Sequence, residues 1–368
     1  MGYSQTMVDS LNKIVRRGRG ALENPTGRFE RITQFVDEDA WGGHGRDPEE
    51  DAQPQQVETQ VFRDCTKSIV TTNDSPDAPE ASVNPYRGCE HGCIYCFARP
   101  GHEYFGLSLG LDFETKIFAK PDAPKLLEET LSKKTYVPRT IMMSGNTDCY
   151  QPIERKMGIT RQCMEVFRDF RHPVCIVTKN HLVTRDVDVL AEMAQHDCIA
   201  VYLSVTTLDG KLSRLMEPRA SQPHMRLRAI ETLAKAGVPV GCMVGPIVPG
   251  LTDHETPNIL KAVADAGGRS AGYTIMRLPY GVKDLFQTWM HEHYPDRAER
   301  VLSRIRDMRD GKLNDAEFGT RMRGTGPFAD QIAQMFATYK KKYNLTRSPS
   351  LTLAHYNREA RSRQGNLF

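Results

Sequence analysis

From Ala81 onward, short β-branched apolar runs alternate with amphipathic stretches of helical length, and no other feature of the chain restricts its fold as much. The runs 82–86, 140–144, 173–178, 199–205, 238–244 and 272–277 read as strands, being too short for buried helices. Helices are expected near 121–133, 160–170, 184–195, 224–236 and 253–266, with Leu227, Ile230 and Leu233 at helical spacing in the fourth. Repeated strand–helix order implies an α/β fold with a parallel sheet and right-handed crossovers. Six units are too few for an eight-stranded barrel, so an incomplete (β/α)6 barrel or an open sheet is expected. In either, ligands collect at the carboxyl ends of the strands. Polar or Gly-rich motifs fall at those ends, at 88–96, 145–148, 178–180, 204–207 and 245–250.

Residues 1–80 read as an N-terminal extension, with a basic stretch at Lys13, Arg16, Arg17 and Arg19 and a polar, acidic stretch over 37–56 that is expected to be mobile. The core is expected over 81–285, and a C-terminal helical extension over 286–346. There Leu302, Ile305 and Met308 form one stripe, and Ile332, Met335, Phe336 and Tyr339 another. A polar tail follows over 347–368. No run of about 18 apolar residues occurs, and no apolar signal-peptide core precedes Arg19, so a cytoplasmic protein with no membrane partner is expected. From His291 onward 15 Lys or Arg face nine Asp or Glu, which fits either a nucleic-acid face or a solvated helical surface.

Of nine cysteines, three crowd into Arg87-Gly-Cys-Glu-His-Gly-Cys-Ile-Tyr-Cys-Phe97, just after the first strand. Cys89, Cys93 and Cys96 are soft metal ligands once deprotonated, and Gly88 and Gly92 let the loop curl around an inorganic core. Ferredoxins give each [4Fe–4S] cluster four cysteines at other spacings, whereas three leave one iron open. The alternative is a zinc site completed by His91 or His102. It lacks the second knuckle that structural zinc sites usually have.

At these residues the chain resembles the radical S-adenosylmethionine superfamily, whose C-x₃-C-x₂-C signature carries an aromatic residue before the last cysteine, here Tyr95. The resemblance implies a [4Fe–4S] cluster whose open iron chelates S-adenosylmethionine, with reductive cleavage to a 5′-deoxyadenosyl radical that abstracts hydrogen from a substrate. It also implies a reductant such as flavodoxin or ferredoxin. The segments 84–89, 147–154 and 178–180 narrow the resemblance to the spore photoproduct lyase-like branch, whose relatives are often labelled DNA repair photolyases.

That branch implies a role for several strand-end residues. Gly145, Thr147 and Asp148 match the loop that receives the cofactor's amino group, although Asp148 could equally close an Asx turn on its own backbone. Lys179 and Ser204 match residues that meet the cofactor's carboxylate, against a surface lysine and a buried hydroxyl bonded to backbone. Ile247, in Gly245-Pro-Ile-Val-Pro-Gly250, matches the segment packed on adenine, while Thr252 or Asp253 after it reads equally as a helix N-cap.

One departure bears on the reaction. The lyases carry a hydrogen-returning cysteine three residues before the loop aspartate, and this chain has Gly145 there. Cys149 is a substitute by proximity in sequence, against a buried small hydrophobe. Tyr280, beside Pro279 and Gly281 at a strand exit, is the other candidate catalytic residue, while Tyr202 and Tyr273 read as core. The C-terminal Gln364, Leu367 and Phe368 resemble the short peptides that bind sliding clamps. The resulting expectation is a radical enzyme acting on nucleic acid, a candidate for DNA lesion repair. The alternatives are radical modification of RNA or a protein side chain, and a non-catalytic Fe–S or zinc protein.

Overall fold

A computed structural model describes residues 18–29, 57–73, 76–77 and 79–360. The stretch 37–56 and the clamp-like residues 364–368 lie outside the described residues. The described residues form ten strands: β1 (Gln60–Arg63), β2 (Val70–Thr72), β3 (Ala81–Val83), β4 (Tyr86–Arg87), β5 (Lys116–Ala119), β6 (Ile141–Met143), β7 (Val174–Thr178), β8 (Ile199–Ser204), β9 (Val240–Ile247) and β10 (Ser270–Ile275). The larger sheet runs β10-β9-β8-β7-β6-β3-β2. Its six strands from β3 to β10 pair in parallel in sequence order, and β2 is added antiparallel at one edge. The α/β class expected from the alternation is the class observed.

Helices Ala123–Ser132, Ile159–Asp169, Val187–Ala194, Pro223–Lys235 and Thr256–Asp265 make the crossovers. Each turns one apolar stripe to the sheet, as Ile159, Cys163, Met164 and Phe167 do at helical spacing. The strands have apolar side chains on both faces, as a sheet covered by crossovers requires; β8 buries five of its six residues.

The first strand differs from its expectation. The run 82–86 is broken after Val83, because Pro85 has no N–H to extend a ladder, and the chain turns into β4. β4 and β1 flank β5 in a separate three-stranded sheet, β1-β5-β4. That sheet stands directly behind the cysteine loop.

Two apolar cores result. The main one lies between the large sheet and its helices. The second gathers Cys93, Ile94 and Tyr95 of the cysteine loop with Leu109, Met216, Val248 and Met276. Trp289 of helix Val282–His293 and Leu302 of helix Pro295–Asp307 close it. The C-terminal helices thus floor the cysteine loop. No helix among the described residues is long and apolar enough to cross a membrane.

The polar tail docks as far as its described residues reach. Thr352 N–H donates to Asp197 O (3.1 Å) and the Tyr356 hydroxyl to Leu131 O (2.5 Å), at the amino ends of the strands. Beneath Tyr356 lies His172, fully buried, with Nε2 2.9 Å from the Tyr136 hydroxyl and Nδ1 3.1 Å from Pro173 O. The Pro173 carbonyl fixes the proton on Nδ1, and burial pushes the ring's pKa down to about 4. An unfolded histidine titrates near 6.5, so the unfolded chain binds the extra proton first as pH falls. His172 therefore contributes stability above pH 6.5 that is lost on acidification toward pH 4, about 3 kcal/mol in all. Urea unfolding at pH 7.5 and 4 is expected to show this loss in the parent and a correspondingly smaller one in His172→Gln. Equal losses would refute it.

Candidate functional site

The cysteine loop is shaped by its glycines and by one arginine. Gly88 and Gly92 both have positive φ (77° and 65°), so side chains there would strain the loop. Arg99 has no exposed surface and donates all five of its N–H groups: to Cys93 O (2.9 Å), Leu109 O (3.1 Å), Gly110 O (2.9 Å), Gly92 O (3.2 Å) and Glu114 Oε1 (2.6 Å). Glu114, equally buried, also accepts the N–H groups of Gly20 (2.9 Å) and Ala21 (2.8 Å). The segment 18–29 is thereby drawn across the loop so closely that a Cβ on Gly20 would stand 1.8 Å from Gly92 O.

On the sheet side, the loops after β6, β7 and β8 meet the cysteine loop. The Asp148 carboxylate accepts from Tyr150 N–H (2.9 Å), Thr178 Oγ1 (2.7 Å) and Lys179 N–H (2.7 Å). Its Oδ2 is also 3.4 Å from His91 Nδ1. Asn180 Nδ2 donates to His91 Nε2 (3.1 Å), which leaves the proton on Nδ1, facing Asp148. Burial lowers the His91 pKa, so the ring is neutral. Below Tyr95, Glu217 accepts from the Tyr95 hydroxyl, from Arg226 and from Thr206 Oγ1 (2.7 Å). Burial raises the Glu217 pKa, but Arg226 and Lys179 outweigh it and hold the group near 2. A charged Glu217–Arg226 pair therefore props the loop from below.

The structure brings most of the sequence-derived residues together. Lys179 places its ammonium 5.8 Å over the Tyr95 ring, with Cys93 near enough to raise its pKa against the lowering effect of burial. No acceptor for that ammonium is found among the described residues. Ser204 is buried at the end of β8, where its carbonyl accepts from Arg226 Nη1 (3.0 Å). Gly145 stands where a Cβ would lie 3.2 Å from Ser82 Cβ, so a cysteine side chain there would crowd β3. Thr147 Oγ1 donates to Tyr86 O (2.9 Å) and anchors the β6 loop to β4. Asp148 does close the Asx turn on Tyr150, besides joining β6 to β7. Ile247 ends β9 and is buried in the main core.

Two residues are not drawn into that cluster, Cys149 because it turns into the core and Tyr280 because it stays on the exposed rim. Cys149 is sealed in the main core; burial and then Asp148 push its thiol well up, and its other ionisable neighbours are Glu154 and Asp186 rather than the cysteine trio. Tyr280 is 60% exposed, with positive φ (51°) and the Arg28 guanidinium 3.9 Å from its ring centre. Asn180 lies within the strand-end motif 178–180, but Arg99, Glu114, Glu217 and Arg226 were not visible as site residues in the sequence. They are scattered singly, and only buried charge in three dimensions reveals them.

The residues present fit an iron–sulfur cluster. Cys89 and Cys93 are buried, Cys93 and Cys96 are near enough to push the Cys89 thiol up, and Cys96 does the same to Cys93. Burial pushes the Cys93 thiol up to about 12, so a bound cation is needed to make it a thiolate. Among the described residues, no three or more His, Cys, Asp or Glu side chains converge closely enough to hold a single metal ion. Both nitrogens of His91 are engaged, and Nε2 of His102 faces Lys116 O (3.0 Å). Neither is presented as the fourth ligand that a zinc site requires.

A sequence profile of the Radical SAM superfamily matches residues 83–263. The chain is 30% identical over 262 residues to an uncharacterised protein of Mycobacterium tuberculosis, covering 70% of this chain and 74% of that protein. It is 30% identical over 219 residues to an uncharacterised protein of Methanocaldococcus jannaschii, covering 60% of this chain and 78% of that one. Among solved structures, spore photoproduct lyase complexed with dinucleoside spore photoproduct is similar with a TM-score of 0.58 at 15% identity, over 79% of this chain and 82% of that chain. At that identity the likeness speaks for the fold.

Removing one partner of the Arg99–Glu114 pair leaves a buried charge uncompensated. Glu114→Ala is expected to cost about 3–5 kcal/mol in urea unfolding and to expose the 18–29 segment to limited proteolysis. Unchanged stability would show that the pair does not hold the loop.

Proposed function

Since the chain belongs to the radical SAM superfamily and is a radical SAM enzyme using a [4Fe–4S] cluster and S-adenosylmethionine, we propose that its substrate is nucleic acid, with a damaged DNA base as first candidate. When bound, the cluster and S-adenosylmethionine supply a 5′-deoxyadenosyl radical that takes a hydrogen atom from the substrate. In this reading Cys89, Cys93 and Cys96 hold the cluster, and the backbone of 145–147 receives the cofactor's amino group. Lys179 and Ser204 meet its carboxylate. Asp148 acts as a positioning residue, because its oxygens are already committed to β7 and His91. Ile247 backs an apolar wall near the adenine, and the C-terminal helices keep water from the cluster loop. The six parallel strands then form an incomplete barrel with extensions on both sides, over 1–80 and 286–346.

The observation that carries the substrate class is a set of exposed aromatic rings paired with guanidinium groups around the cysteine loop. Phe97, directly after Cys96, is 46% exposed, with the Arg277 guanidinium 5.3 Å from its ring centre. Tyr280 is stacked on Arg28, which also lies 5.0 Å from the Phe29 ring centre, and Phe29 packs on exposed Tyr104 at 5.2 Å. Such platforms accept unstacked bases while the cations draw in the backbone, as proteins that bind single strands do. Tyr280 on this reading stacks a base rather than relaying a radical. The ligand of the structural neighbour, a dinucleoside spore photoproduct, agrees with a base-sized substrate.

Reconstituted protein with reductant and S-adenosylmethionine is expected to form 5′-deoxyadenosine, and Cys93→Ala to form none. Ultraviolet-irradiated oligonucleotide should bind and change product yield. Tyr280→Ala should weaken that binding about tenfold, since one stacked base is worth roughly 1–3 kcal/mol. If irradiated DNA neither binds nor alters 5′-deoxyadenosine formation, while RNA or a protein does, the DNA reading falls.

A further inference from the structure

Buried arginines in this fold are normally satisfied by protein oxygens. Arg99 uses every donor, and Arg226 gives its guanidinium to Ser221 O (2.6 Å), Ser204 O (3.0 Å), Ser213 Oγ (3.5 Å) and Glu217. Arg309 breaks the pattern. It is 3% exposed, yet only its Nη2 is bonded, to Met276 O (2.5 Å) and Arg321 O (3.1 Å). Its Nε and Nη1 are buried with no acceptor among the described residues, and so is Nε of Arg277.

The two guanidinium groups share one environment at the carboxyl end of β10. Burial pushes Arg309 down from its ordinary pKa; Asp315 opposes this and Arg277 adds to it. Burial and then Arg321 do the same to Arg277, against Asp77. Neither carboxylate is free to answer them. Asp315 accepts from Glu317 N–H (2.8 Å) and Thr320 Oγ1 (2.6 Å), while Asp77 accepts from Arg321 Nε (2.9 Å) and Gly319 N–H (3.1 Å). Among the described residues, Arg277's only hydrogen-bond acceptor is the soft Met322 Sδ, 3.8 Å from Nη1. Two adjacent cations, one buried and one part-buried, with three unpartnered nitrogens that carry four N–H groups are costly until an anion arrives. Water would fill the hydrogen bonds but would not offset the excess of the three guanidiniums, Arg277, Arg309 and Arg321, over the two carboxylates, Asp77 and Asp315. Arginine forks suit a tetrahedral oxyanion, whose several oxygens can accept from two guanidiniums at once.

We infer that Arg277 and Arg309 form an oxyanion pocket that takes a phosphate group, held by Nε of Arg277 and by Nε and Nη1 of Arg309. Because Arg277 also covers Phe97, the pocket lies beside the cysteine loop. That the phosphate is a phosphodiester of the substrate rests on the nucleic-acid reading above. There it sets where the strand is gripped relative to the base on Phe97. The pocket itself needs only a phosphate.

The test uses full-length reconstituted protein, its Arg277→Gln and Arg309→Lys variants, and two probes. The first is inorganic phosphate, with chloride at matched ionic strength as control. The second is a dinucleotide with an ordinary phosphodiester, compared with its neutral methylphosphonate analogue. Phosphate is expected to raise the parent's Tm by a few degrees beyond chloride, and to do so in neither variant. The parent should prefer the charged dinucleotide by about tenfold or more, and both variants should lose that preference. Arg277 is only part-buried, so Arg277→Gln decides the matter if Arg309→Lys fails to fold. A phosphate effect no larger than chloride's, or one undiminished in Arg277→Gln, overturns the pocket. A phosphate effect lost in the variants without any preference between dinucleotides leaves the pocket standing and removes the nucleic-acid reading.

Discussion

Arg99 meets five oxygens with five N–H donors, and four of those oxygens are backbone carbonyls of the cysteine loop and the strand of chain leading to helix Leu111–Thr115. A loop of nine residues, 88–96, carrying three thiols and two glycines has little reason of its own to hold one shape. The guanidinium supplies it, and because the charge is buried, any movement that breaks one contact leaves a donor unpaired in an apolar surround. Glu114 then transmits the same constraint to Gly20 and Ala21. The Glu217–Arg226 pair repeats the device under Tyr95. The site is thus a metal loop clamped between two buried ion pairs, with neutral His91 and Asp148 tying it to the sheet.

Much of the larger sheet was legible because its strands are local and strongly patterned. Each of the six expected runs overlaps a parallel strand, and their order along the chain is their order in space. What was not legible was short or dependent on distant partners. β4 has two residues, and the small sheet exists only because Gln60–Arg63 and Tyr86–Arg87 find Lys116–Ala119 across long separations. The docked tail was equally invisible, since Tyr356 and Arg358 hold it by bonding backbone carbonyls near residues 131–136, which leave no pattern in sequence.

For the site, the sequence was most informative where ligands are contiguous. Cys89, Cys93 and Cys96 sit on one loop, and the strand-end motifs at 145–148 and 178–180 do meet there. Resemblance could not say which atoms are free. Asp148 is occupied by its own turn and by β7, whereas the Lys179 ammonium is not occupied by any described acceptor. Proximity in sequence misled for Cys149, one residue past Asp148. The Asx turn reverses the chain so that the aspartate faces the rim and the cysteine enters the core.

The strap formed by residues 18–29 has a bearing on how such a protein is made. Gly20 and Ala21 bond across 94 and 93 residues to Glu114, and Tyr95 bonds across 122 residues to Glu217. Contacts of that range close late, because long loops must be ordered before they reward the chain. On a growing polypeptide the three thiols therefore leave the ribosome well before residue 217 exists to support them. Gly20 and Ala21 can meet Glu114 as soon as that residue has emerged, whereas the support beneath Tyr95 must wait for Glu217 and Arg226, so the loop is held from its two sides at different stages of synthesis.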